Sequence, residues 1–152
     1  MVGEFKFERL EVWKLRLDYL DLCYAMAEQL PRQEEYNLKT QITRAATSIA
    51  LNIAEGSTSQ SDAEQARFLG LSLRSLIEAV ACRRLMHHRD YMETDADLST
   101  KAEEAGQKLF AKLHAMRRFL AGKGNSQSAV RDRRSSVNNC NSSVVGRPSS
   151  VN

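Results

Sequence analysis

Apolar positions recur along this chain at alternating steps of three and four, the spacing of helices that each bury one face. The first run, Leu10, Trp13, Leu17, Leu20, Tyr24 and Ala27, predicts a helix from about Phe7 to Leu30. Pro31 stops it, because proline removes an amide donor and clashes with the preceding turn. A second helix is predicted over Leu38 to Glu55, with Asn37 as N-cap, Ile42, Ala45, Ile49 and Ile53 as its apolar stripe, and Gly56 as the left-handed residue past its end. Ser61 and Glu64 form a capping-box pattern that opens a third helix, which runs through Ala66, Leu69, Leu73, Leu76 and Val80 to about Arg89. Thr94, Asp95 and Asp97 mark the start of a fourth, with Leu98, Ala102, Ala105, Leu109, Leu113, Met116 and Leu120 as its core stripe and Gly122 as its end. Four amphipathic helices on short connectors predict an all-α, up-down-up-down antiparallel bundle over residues 5–121. Residues 122–152, rich in Ser, Asn and Arg and almost free of large apolar groups, are expected to form a disordered tail.

Helix two carries more than a core stripe. Beside the isoleucines lie Gln41, Arg44, Ser48, Asn52 and Glu55, within an arc of roughly 80° at 100° per residue. Solvated flanks usually explain such rows. Ser and Asn, however, are poor choices for an open helix surface, since their side chains compete for backbone hydrogen bonds. Helix three offers a comparable set in Arg74, Ser75 and Glu78. Arg and Glu on facing helices would pair, and such pairs fix register and partner choice more than they add stability. Gln41, Arg44, Ser48, Asn52, Glu55, Ser75 and Glu78 are therefore the candidate structural and oligomer-interface residues.

Charge divides unevenly. From residue 122 onward there are five basic residues and one acid, leaving 17 basic and 18 acidic groups in residues 1–121 out of totals of 22 and 19. The bundle is near neutral and the tail basic. Three cysteines, Cys23, Cys82 and Cys140, show no metal-ligand spacing. With no secretory leader pattern and no run of roughly 18 apolar residues, a reduced cytoplasmic setting is expected. His87 and His88 diverge by about 100° on a helix and do not form a metal site from one face. No glycine-rich phosphate loop, nucleophile elbow or spaced Cys–His pair occurs. The expectation is a non-enzyme without metal or cofactor.

Three segments carry a family resemblance: "FERLEVWKLRLDYLDLCYAM" in helix one, "QITRAATSIALNIAEGS" in helix two and "RFLGLSLRSLIEA" in helix three. Over about residues 5–121 the chain resembles the four-helix bundle proteins encoded by intervening sequences in bacterial 23S ribosomal RNA genes. The resemblance implies a ring-like homopentamer and a relationship to the accessory proteins of diversity-generating retroelements, which partner a reverse transcriptase and bind nucleic acid through basic surfaces. It supplies no activity for the intervening-sequence family itself. Two positions depart from the family pattern. Ala50 stands where a proline is usual, and "STSQ" replaces an arginine-bearing turn after the Asn-Ile-Ala-Glu-Gly motif.

Two functional readings follow. In the first, an oligomeric accessory protein associates with RNA or DNA, or with an enzyme acting on them, through Arg83, Arg84 and Arg89 near the end of helix three, Arg117 and Arg118 in helix four, and Arg131, Arg133 and Arg134 in the tail. In the second, the chain is a self-assembling scaffold without direct nucleic-acid binding, and the polar stripe sets the register between copies.

Overall fold

The computed structural model describes the backbone of residues 4–92 and 95–140, and the side chains of residues 4–92 and 95–123. Four helices follow in order: α1 (Glu11–Glu28), α2 (Leu38–Ser57), α3 (Asp62–His88) and α4 (Ala96–Cys140). Short 3-10 turns at Lys6–Arg9 and Arg32–Glu34 precede α1 and α2. No strand occurs among the described residues.

Each helix packs on its two neighbours in a closed square, α1 on α2 and α4, α3 on α2 and α4, with the α2–α3 seam the most extensive. Cross-helix contacts fix the antiparallel sense. Glu28 meets Lys39 at 3.5 Å and Ser48 meets Ser75 at 2.9 Å, while Arg83 pairs with Glu103 and Glu11 with Lys112 at 3.0 Å. Second contacts, Tyr24 with Thr47, Gly56 with Phe68, Gly70 with Arg117 and Tyr19 with Gly106, show residue numbers falling on one helix as they rise on the next. The predicted all-α bundle is the observed fold.

The centre of the square is filled by Tyr19, Cys23 and Met26 of α1, Ile42, Ile49 and Ile53 of α2, Leu69, Leu76 and Met86 of α3, and Leu109 and Leu113 of α4. Burying each large aliphatic side chain contributes roughly 1.5–3 kcal/mol against the entropy of ordering the chain. On α1 the predicted stripe is one residue out of phase. The face turned inward carries Val12, Arg16, Tyr19, Cys23, Met26 and the predicted Ala27; Leu10, Trp13 and Leu20 pack partly buried at its flank, whereas Leu17 and Tyr24 stay 40% and 45% exposed. This helix is apolar on two adjacent faces, and Arg16 interrupts the one that is buried. Arg16 is accommodated by stacking its guanidinium over the Trp13 ring, 3.3 Å from the centroid.

The helix ends have physical causes, some of them different from those predicted. Ser61 Oγ accepts the Glu64 amide at 3.1 Å, the serine half of the predicted capping box. Substituting Ser61→Ala is expected to cost about 1 kcal/mol, read as a lower urea midpoint at unchanged slope. Asp95 Oδ1 caps α4 through the Leu98 amide at 2.8 Å. At α2, Asn37 makes no capping bond; its side-chain amide donates to Glu34 Oε2, which also accepts the Leu38 amide. Gly56 is not a left-handed terminator either: α2 runs through it to Ser57, and a Cβ there would stand 2.8 Å from Phe68 Cβ. The glycine permits the close approach of α2 and α3. The end of α3 does use a left-handed residue, Asp90 at φ 58°, with the Tyr91 amide reaching Met86 O at 3.0 Å and the Asp90 amide reaching His87 O at 3.1 Å.

Helix α4 does not stop at Gly122 but continues to Cys140. The two glycines there, Gly122 and Gly124, cost a helix only about 1 kcal/mol each, and no proline occurs between them and Pro148. The expectation of disorder thus meets a helix over 122–140, while residues 141–152 lie outside the described residues.

Candidate functional site

The polar stripe of α2 splits into a middle that is used within the chain and ends that are not. Ser48 and Asn52 are half-buried in the α2–α3 seam. There the Ser48 and Ser75 hydroxyls share a hydrogen bond at 2.9 Å, and Asn52 Nδ2 donates to Ser48 O at 2.8 Å and to Ser48 Oγ at 3.2 Å. Ser72 Oγ, which drew no notice in the sequence, donates to Ile49 O at 3.2 Å from a fully buried position. Its signal was present: Ser72 lies three residues after Leu69 on the core-facing side of α3. These bonds satisfy polar atoms that would otherwise be costly to bury, so Ser and Asn inside α2 have a structural cause.

Gln41, Arg44 and Glu55 are exposed, as are Arg74 and Glu78 on α3. None of the four charged groups joins an ion pair among the described residues, so the expected Arg–Glu pairing between α2 and α3 within one chain is not formed. Arg44 and Glu55 instead border an open groove of about 410 Å³ along the α1–α2 edge, lined also by Tyr24, Thr47, Leu51 and Asn52. Leu51 is 56% exposed there, and the Tyr24 hydroxyl lies 3.3 Å from Thr47 Oγ1.

The opposite edge of the square, between α3 and α4, is apolar in a different way. Ile77 and Phe110 are 58% and 40% exposed. Ile77 separates two hollows, one reaching toward Arg83 and Glu103 and the other bordered by Arg74 and Arg117.

The candidate phosphate contacts do not converge. Arg83 is buried and paired with Glu103, whose carboxylate also accepts Gln107 Nε2 at 3.0 Å, so this arginine is removed from the set. Counting along α3 from Leu69 through Leu76 places it on the inward stripe. Burial opposes its charge and pulls its proton affinity below the ordinary guanidinium value. Arg84, His87, His88 and Arg89 are exposed, and Arg89 donates to the Tyr91 hydroxyl at 3.4 Å. That hydroxyl in turn donates to Glu34 at 3.1 Å, placing an acid beside the cluster. Arg117 lies over Gly70, where a Cβ would meet its Nε at 3.2 Å. Since Gly70 and Arg84 are 14 residues apart on α3, Arg117 and Arg84 sit about 21 Å apart along the helix axis at 1.5 Å per residue. Arg118 is exposed. Arg131, Arg133 and Arg134 fall on the continuation of α4, and their side chains lie outside the described residues.

A family model for the 23S rRNA-intervening sequence protein matches residues 8–111, more than half of the chain. The chain belongs to this family. No curated protein matches it. The matched range takes in the α2–α3 seam, both edges of the square and the basic end of α3 in this 23S rRNA-intervening sequence protein. It stops short of Arg117, Arg118 and the basic continuation of α4. Among the described residues, no cluster of three His, Cys, Asp or Glu side chains is placed to hold a metal ion, and no helix is long and apolar enough to cross a membrane.

Proposed function

We propose that this member of the 23S rRNA-intervening sequence family is a non-enzymatic accessory protein that assembles into a ring of identical copies and associates with nucleic acid, or with a nucleic-acid enzyme such as a reverse transcriptase. The observation that carries the reading is the unlikeness of the two exposed edges. The α1–α2 groove presents Tyr24, Leu51 and Glu55, and the α3–α4 edge presents Ile77 and Phe110 with Arg74 and Arg117. Unlike faces on opposite sides favour head-to-tail contacts, which close into a ring when the rotation allows. The homopentamer implied by the family resemblance is a ring of this kind.

Basic side chains at the end of α3 and along α4 would then repeat around the ring, so that modest patches on one copy act together. Phosphate contacts release counterions, and affinity falls with salt at a log-log slope of about −0.9 per phosphate on duplex DNA. The test is a salt titration of binding to duplex DNA and to RNA by the full chain and by Arg131→Gln/Arg133→Gln/Arg134→Gln. The expected result is a steep salt dependence whose slope shrinks by about two to three units in the triple variant. Salt-independent or absent binding by the full chain rejects the nucleic-acid part and leaves the second reading, a self-assembling scaffold whose polar stripe fixes the register of copies.

A further inference from the structure

Between α3 and α4, the half-open cavity bounded by Ile77, Val80 and Phe110 has a volume of about 280 Å³. That is just below the roughly 300–1,000 Å³ typical of ligand sites. Its walls are apolar and its polar groups gather at one end, where Arg83, Arg84, Glu103 and Gln107 line it. Arg83 is buried, Glu103 engages its Nη2, and its Nε–H has no acceptor. A guanidinium has five N–H donors, so Glu103 leaves this one incompletely satisfied. Glu103 is itself committed to Arg83 and Gln107. Arg84 is exposed and joins no ion pair among the described residues. Two cations and one anion leave this end with one positive charge in excess.

We propose that this cavity binds a small amphipathic monoanion, a carboxylate attached to a short aliphatic or aromatic body. The head group takes exposed Arg84 beside the Arg83–Glu103 pair, whose end of the cavity carries the excess positive charge, in charge-assisted hydrogen bonds that are stronger than neutral ones. The body replaces water against Ile77, Val80 and Phe110, where apolar area is otherwise hydrated. A polyanion does not match one unit of excess charge, and the volume accommodates about ten non-hydrogen atoms at roughly 30 Å³ for each water-sized element. Ile77 and Phe110 also belong to the edge that the proposed ring would cover, so the site is open in the single copy.

Octanoate is the probe, with octan-1-ol as the neutral control, titrated by calorimetry into the full chain carrying Leu51→Arg, a groove substitution outside this cavity that leaves the α3–α4 edge uncovered, and followed by chemical-shift changes at Val80 and Phe110. Saturable octanoate binding is expected with a Kd on the order of 0.1–1 mM, the range for a ligand of this size, and at least tenfold weaker binding of the alcohol. Two exposed positions allow variants that keep the fold. Arg84→Gln is expected to weaken octanoate about tenfold, and Ile77→Glu, which places a negative charge in the wall, to abolish binding. No saturable binding by the full chain, equal affinity for acid and alcohol, or unchanged affinity in both variants overturns the proposal. Light scattering on the same samples reports the mass, so a missing assembly and a missing pocket are read separately.

Discussion

Glu103→Leu is expected to destabilise the fold by about 3 kcal/mol, the lower end of the range for breaking one half of a buried ion pair. The loss arises because Arg83 stays behind, enclosed between α3 and α4 with its charge uncompensated and its Nε–H already lacking an acceptor. The Glu103 side chain is 35% exposed, so water enters part of the vacated space and holds the cost to that end of the range. Arg83→Met combined with Glu103→Leu is expected to recover most of the loss, since a pair replaced by apolar groups of similar volume is often neutral or better. Urea denaturation of the wild type, both single variants and the double variant gives the coupling. A single Glu103→Leu cost below about 1 kcal/mol would mean that Arg83 finds water unaided and is not truly enclosed.

The second large effect is alkaline. Burial pushes the Cys23 thiol from 9.0 up to about 12 and raises the Tyr19 hydroxyl beyond its ordinary range, because each would have to ionise inside the core. Both acids hold their protons more tightly folded than unfolded, so the unfolded chain releases protons first as pH rises. The contribution is fully present below pH 9 and is lost as pH climbs toward 12, at up to about 1.4 kcal/mol per pH unit for each group. Stability is expected to fall from about pH 9 and more steeply above pH 10, where Tyr19 joins. Urea midpoints from pH 8 to 11 check this, with Cys23→Ala/Tyr19→Phe expected to flatten the decline. Parallel curves for the two proteins would show that other groups govern it. Tyr19→Phe also removes a buried hydroxyl that has no oxygen or nitrogen partner among the described residues.

Helix number, order and two of the N-caps were legible because they rest on local rules: three-four apolar spacing, Ser61 before Glu64, an aspartate before Leu98. What was not legible depends on packing across helices. Nothing within α1 says which of two adjacent apolar faces turns toward α2 and α4, and the buried one contains Arg16. Gly56 reads as a terminator from sequence, whereas its cause is the Phe68 side chain of another helix. Arg83 resembles any basic residue near a helix end until its register with Leu69 and Leu76 is counted. The polar stripe was placed correctly on α2, but its division into a seam at Ser48 and Asn52 and exposed ends at Gln41, Arg44 and Glu55 required the position of Ser75.

The exposed ends of that stripe and the apolar groups beside them have a purpose in this account only if another copy covers them. Multi-angle light scattering of the full chain across a concentration series tests that claim most directly. The account predicts one species at a whole-number multiple of 17.1 kDa, five copies for the ring implied by the family resemblance, reduced to a single folded copy by Leu51→Arg in the α1–α2 groove. A folded particle of 17.1 kDa at every concentration, unchanged by that substitution, would contradict it.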